Sequence, residues 1–164
     1  MTLKSINKLD RPAFIKALGW VFEHSPWVAE EAWHARPFES LEALHTAMVT
    51  VVRSAENAKQ LALIRAHPDL GTRAKMSSAS VGEQVGAGLD QLSAEELQQL
   101  REWNSAYTAR FGFPFILAVK CATKTEILRS LQERLDEQPE YEFETALTQI
   151  ERIAFFRLSE LVVA

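Results

Sequence analysis

The sequence predicts an all-α fold, one domain over residues 1–164 built from roughly seven to nine helices. Helix-capping residues and prolines recur at helix-length intervals, and the apolar residues between them follow the helical period. A single run, "FPFILAVKCA" from Phe113, reads as strand-like. Asp10 before "RPAFIKALGWVFE" is an N-cap with an early Pro12, and Phe14, Leu18 and Val21 share one side of the helix it opens. Ser25-Pro26 opens a second helix, "SPWVAEEAWHA". Ser40 caps a third, in which Leu41, Leu44, Met48 and Val51 or Val52 recur at helical spacing. A fourth runs from about Glu56 to Ala66. Pro68 biases the residue before it away from helical geometry, so His67 falls at or just past the end.

From Gly71 to Leu89 the chain holds four of its six glycines and little bulky apolar mass. A loop to about Ser80 and then a short, glycine-weakened helix are expected there. Ser93 and Glu96 stand in capping-box register before a long amphipathic helix that Gly112 terminates. "FPFILAVKCA" is either a strand or a buried extended segment. Thr123 and Glu126 form a second capping box before "EILRSLQERLDE". Pro139 breaks the chain, and about Tyr141 to Val162 form the last helix, with Phe143, Leu147, Ile150, Ala154, Leu158 and Leu161 as its apolar stripe.

Composition narrows the function. A 47% hydrophobic fraction supports a core, and a net charge of −4 without a dense Lys/Arg run argues against nucleic acid as a partner. No apolar stretch approaches the ~20 residues of a membrane helix. The first residues have no apolar core like that of a secretory signal, and "SELVVA" carries no Ser-Lys-Leu tail. With Cys121 the only cysteine, the expected setting is the reduced cytoplasm. His24, His34 and His45 show no metal-ligand spacing, and no metal is expected.

Four places can carry chemistry. His67 at a helix end is either a cap for a carbonyl or an imidazole able to change protonation state near neutral pH. Glu83 and Gln84 lie among small residues that let a ligand approach the backbone, and Ser80 can cap their helix; the same residues also read as solvated helix surface. Arg157 falls on or beside the apolar stripe, where a guanidinium needs a ligand, a salt-bridge partner or a path to water; Arg152 falls off it. The extended backbone after Gly112 can offer peptide groups to a planar ligand between Phe113 and Phe115, residues that also read as plain core.

"AHPDLG", the S-x-x-E-Q-x-x-A-G-L pattern from Ser80 to Leu89, "FGFPFILAVK" and "RIAFFRLSEL" together resemble the 2-oxo-4-hydroxy-4-carboxy-5-ureidoimidazoline (OHCU) decarboxylases. These enzymes complete the conversion of urate to allantoin in purine breakdown, and the resemblance covers nearly the whole chain. It implies an all-helical, cofactor-free carboxy-lyase, a homodimer, whose partner is a small-molecule ureidoimidazoline. By motif position the catalytic pair falls on His67 and Glu83. Ligand-binding positions fall on Pro68, Ser80, Gln84, the backbone of Ile116, Leu117, Ala118, Val119 and Lys120, and Arg157. The loop between "HPDLG" and Ser80 is short beside some relatives. The alternatives to this reading are a helical enzyme acting on another ureide or purine derivative and a non-catalytic helical interaction module.

Overall fold

The computed structural model describes residues 1–71 and 78–163, with the backbone alone at Ser78. The loop expected between Gly71 and Ser80 lies outside the described residues over positions 72–77, as does the terminal Ala164 of "SELVVA". Among the described residues there are nine α-helices and no β-strand. The chain divides into two compact units, Met1–Ala66 with Glu151–Ala164, and His67–Ile150.

The first unit begins with a helix the sequence pattern does not announce, α1 (Leu3–Asn7), capped by the Thr2 hydroxyl and burying Ile6. Five residues carry too few apolar positions to show a period. α2 (Arg11–Leu18) starts where Asp10 accepts the Ala13 amide, and it stops at Gly19, earlier than the apolar pattern suggests. Val21 is buried beyond its end, so the stripe continues into irregular backbone. α3 (Trp27–Ala32) follows Pro26 and tightens into a 3₁₀ turn over Trp33–Ala35. Ser40 caps α4 (Leu41–Ser54), which turns Leu44, Met48 and Val52 inward against α3. Each such side chain contributes roughly 1.5–3 kcal/mol when fully buried. α5 (Asn57–Arg65) buries Leu63 and Ile64.

The second unit contains α6 (Ser78–Gly86), α7 (Ala94–Phe111) and α8 (Lys124–Arg134). Both capping boxes form: Ser93 with Glu96 opens α7, and Thr123 with Glu126 opens α8. Gly112 ends α7 at φ +77°, a left-handed conformation that costs glycine little. The last helix, α9 (Pro139–Leu161), is assigned to the second unit up to Ile150 and to the first from Glu151. Pro139 is its first residue and does not stand apart as a breaker. Its missing N–H is one the first turn leaves unpaired in any case. Leu147, Ile150, Ala154 and Leu158 of the expected stripe are buried, while Phe143 and Leu161 are half-buried and Arg152 is exposed.

Residues 114–119 belong to no helix and join no sheet. Pro114 holds Phe113 away from helical geometry. Phe113 and Phe115 enter an aromatic cluster around Tyr107, whose ring centroid lies 6.1 Å from that of Phe113 and 5.5 Å from that of Phe115. Without a neighbouring strand, the backbone polar groups of this segment need other partners. Side chains supply them: the Arg134 guanidinium donates to the Ile116 carbonyl, and the Gln149 carboxamide oxygen accepts the Ala118 amide.

Candidate active site

α5 closes where the Ala66 amide reaches the Ala62 carbonyl at 2.9 Å. His67 follows immediately, as the sequence anticipates, and is the first residue of the second unit. Its side chain is buried, Pro68 is half-buried and Asp69 is exposed. Partial desolvation nevertheless pushes the Asp69 carboxyl above its ordinary range.

Two side chains fix the backbone after His67. Asn104, buried on α7, donates to the Leu70 carbonyl at 2.9 Å. The Gly71 amide donates to Gln84 Oε1, also at 2.9 Å. Gly71 sits at φ +78°, a conformation that favours glycine, and a Cβ there would also press on the end of the Leu100 side chain, 2.5 Å from Cδ2. The bond to Gln84 brings the "HPDLG" strip and the "S-x-x-E-Q" helix together, although the motifs are separated in sequence.

On α6, Ser80 and Gln84 are one helical turn apart and both buried; Glu83, beside them, is half-buried. Gly82, Val85 and Gly86 are exposed. α6 therefore turns one polar face inward and an almost featureless one outward. Ser80 is not the cap of this helix. α6 starts at Ser78, which places Ser80 inside the first turn with its side chain on the buried face.

In the extended segment Phe113, Phe115, Ile116, Ala118 and Val119 are buried, Leu117 is half-buried and Lys120 is exposed. The Val119 carbonyl accepts the Ala122 amide, which turns the chain towards α8.

Arg157 belongs to the first unit. It is 2% exposed, and its guanidinium donates to Glu23 Oε2 at 2.9 Å and to the Val21 carbonyl at 3.2 Å. The salt-bridged alternative is thus realised for this arginine. Sequence reading missed Glu23 because an acid beside His24 and Ser25, past the apolar stripe, looks like ordinary surface. It also missed Asn104, Arg134, Glu142 and Gln149. Glu142 resembles a solvated first-turn acid favouring the helix N-terminus, and only its complete burial marks it out. Among the described residues, no three or more His, Cys, Asp or Glu side chains are grouped to hold a metal ion.

The sequence profile for OHCU decarboxylase matches residues 7–159. This chain belongs to the OHCU decarboxylase family. The family's 2-oxo-4-hydroxy-4-carboxy-5-ureidoimidazoline decarboxylase of Haloferax volcanii is 45% identical over 98% of this chain and 95% of its own length. The uric acid degradation bifunctional protein of Bacillus subtilis is also 45% identical over 98% of this chain, which spans 33% of that longer protein. Among solved structures, an OHCU decarboxylase crystallised in the presence of (S)-allantoin matches with a TM-score of 0.69 and 31% identity, over 82% of this chain and 89% of that one. The crystal structure of (S)-allantoin synthase matches with a TM-score of 0.79 and 33% identity, over 99% of this chain and 54% of that one.

Proposed function

We propose that this chain decarboxylates OHCU to (S)-allantoin in urate catabolism, with His67 and Glu83 as its proton-transfer pair. The supporting observation is the Gly71–Gln84 hydrogen bond. It ties the backbone four residues after His67 to the residue following Glu83, inside a chain similar to OHCU decarboxylases along almost its whole length.

The substrate is a small ring with a ureido arm and a carboxylate on a hydroxyl-bearing carbon. The bond to the carboxylate breaks, carbon dioxide leaves, and the electron pair spreads from the ring carbon into the adjacent C=N system. The ring is the electron sink, and the protein's part is orientation and charge placement. Glu83 orients the imidazole and favours its charged form. His67 then delivers one proton to the carbanionic system on one face only, which sets a single allantoin enantiomer.

Ser80, Gln84, Pro68 and the backbone from Ile116 to Lys120 hold the ring and its ureido arm, with Phe113 or Phe115 as an apolar wall near the departing carboxylate. A strong grip on that carboxylate would stabilise the ground state more than the transition state. Arg157 is accordingly assigned to a ring or ureido carbonyl oxygen, on motif position alone. Assembly as a homodimer in the cytoplasm completes the proposal and rests on the family resemblance.

The test follows the ultraviolet absorbance of freshly generated OHCU with the wild type, His67→Ala and Glu83→Ala. Carbon dioxide release without ammonia and a loss of roughly 10²–10⁴-fold in His67→Ala are expected. Near-wild-type turnover by a folded His67→Ala would remove the proton-transfer role, and ammonia release would point to a hydrolase.

A further inference from the structure

We propose that Arg134, Glu142 and Tyr107 form a positioning clamp that sets the extended backbone at Ile116–Val119 for the substrate. This inference rests on the reading above, in which that backbone meets the ligand.

Arg134 is the last residue of α8 and is largely buried. Its Nη1 donates to the Ile116 carbonyl at 2.6 Å, its Nε donates to Glu142 Oε1 at 2.7 Å, and its guanidinium carbon lies 4.4 Å from the centre of the Phe115 ring. The Tyr107 hydroxyl donates to the same Glu142 oxygen at 2.5 Å. Both Tyr107 and Glu142 are wholly buried. Burial and the neighbouring carboxylate push the Tyr107 hydroxyl far above its ordinary range, so it remains a donor at any working pH.

A buried ion pair is an expensive way to stabilise a fold, and apolar residues of similar volume often serve as well. Here the guanidinium does something apolar residues cannot: one planar fork joins a fixed carboxylate to a backbone carbonyl. Among the described residues, Glu142 Oε2 and Arg134 Nη2 have no hydrogen-bond partner, so the pair is not arranged for maximal satisfaction. Its geometry serves Ile116.

Alternation along extended backbone gives that carbonyl its importance. The Ile116 carbonyl and the Ala118 amide are taken by Arg134 and Gln149, and in extended backbone such groups two residues apart face the same edge. The amides of Leu117 and Val119 alternate onto the opposite edge and have no partner among the described residues. Holding one edge with side chains presents the other as a pair of donors. A planar ligand bearing carbonyl oxygens suits such a pair. The clamp therefore does for this segment what a neighbouring strand does in a sheet, and leaves the free edge to the substrate.

Arg134→Lys tests the inference, because a point charge still pairs with Glu142 but does not span both partners. With the ligand held by the same amides before and during reaction, the loss falls on uniform binding. The KM for OHCU and the inhibition constant of (S)-allantoin should rise together by about tenfold, with kcat within about twofold. Amide hydrogen exchange at Leu117 and Val119 should quicken. Tyr107→Phe, which keeps the ring and removes one donor, should shift the same quantities in the same direction by less. If Arg134→Lys does not fold, the paired replacement Arg134→Met with Glu142→Leu keeps volume without charge and should show the same signature. A folded variant with unchanged KM, allantoin inhibition and exchange overturns the clamp and leaves the proposed function standing. A wild type inactive on OHCU overturns the substrate reading, and exchange at Leu117 and Val119 then decides the clamp by itself.

Discussion

Arg157 Nη2 lies 2.9 Å from Glu23 Oε2, and both side chains are almost completely removed from water. Two charges are desolvated to make this contact, so the pair depends on both members being present. Glu23→Gln keeps the shape and removes the charge that faces the guanidinium. A destabilisation of about 3–5 kcal/mol is expected from urea unfolding, the range found when one partner of a buried pair is removed. A loss under about 1 kcal/mol, the range of exposed pairs, would show that water reaches the site in solution.

Arg157→Lys separates the structural role from the proposed ligand role. A lysine restores charge opposite Glu23 but gives up the fork that also reaches the Val21 carbonyl. A stability loss smaller than that of Glu23→Gln is expected, together with raised KM and lowered kcat for OHCU. Unchanged kinetics with reduced stability would make Arg157 purely structural.

The two arginines show what sequence reading reaches and what it does not. The apolar stripe of α9 identified Arg157 as a charge needing a partner, because a helical period fixes which face a residue occupies. Nothing local identified Glu23 as that partner, since the pairing spans 134 positions and leaves no periodic trace. Arg134 and Glu142 are only eight positions apart, yet Pro139 interrupts the helical pattern between them and their alignment depends on how the chain turns there. The capping boxes at Ser93 and Thr123 and the terminator at Gly112 were legible because their chemistry lies within four residues. Ser80 was misplaced as a cap because "SSAS" offers several equivalent serines, and a small-residue helix has no bulky stripe to set its start.

Asp69 predicts a pH dependence. Its carboxyl is raised above its ordinary value by desolvation, so the folded state holds this proton more tightly than the unfolded state does. Its contribution is fully present in acid, below the unfolded value of 3.8, and is lost as pH rises through the higher folded value. Ionised Asp69 is then a burden at neutral pH. Asp69→Asn should gain stability relative to wild type between pH 3.5 and pH 7, read as a widening gap in urea midpoints. A gap that stays constant or narrows would mean that the carboxyl is fully hydrated.

Glu96 predicts the opposite sign. Hydrogen bonds from Lys124 and the Ser93 amide hold its carboxyl below the ordinary range. Its stabilisation is present above the unfolded value of 4.5 and is lost as pH falls through the lower folded value. Glu96→Gln should therefore be less stable than wild type at neutral pH, with the difference shrinking in acid and, for the exposed Lys124 pair, in high salt. Ser93→Ala removes the reciprocal cap and should cost about 0.5–2 kcal/mol at any of these pH values.

The last prediction concerns the strip that follows His67. Asn104 holds the Leu70 carbonyl and Gln84 holds the Gly71 amide, so both polar groups of the single Leu70–Gly71 peptide unit are fixed, each from a different helix. Asn104→Leu leaves the Leu70 carbonyl without its donor and should cost about 1–3 kcal/mol of stability. If the strip positions the imidazole, a displacement of about 1 Å is enough to lower turnover by roughly 10²-fold even though Asn104 is assigned no contact with substrate. Gln84→Ala should lower turnover too. Because both tethers act on one short piece of backbone, the double variant should lose less activity than the two single losses multiplied together. Fully multiplicative losses would mean that the tethers act independently, with Gln84 contributing through the ligand and Asn104 through the core.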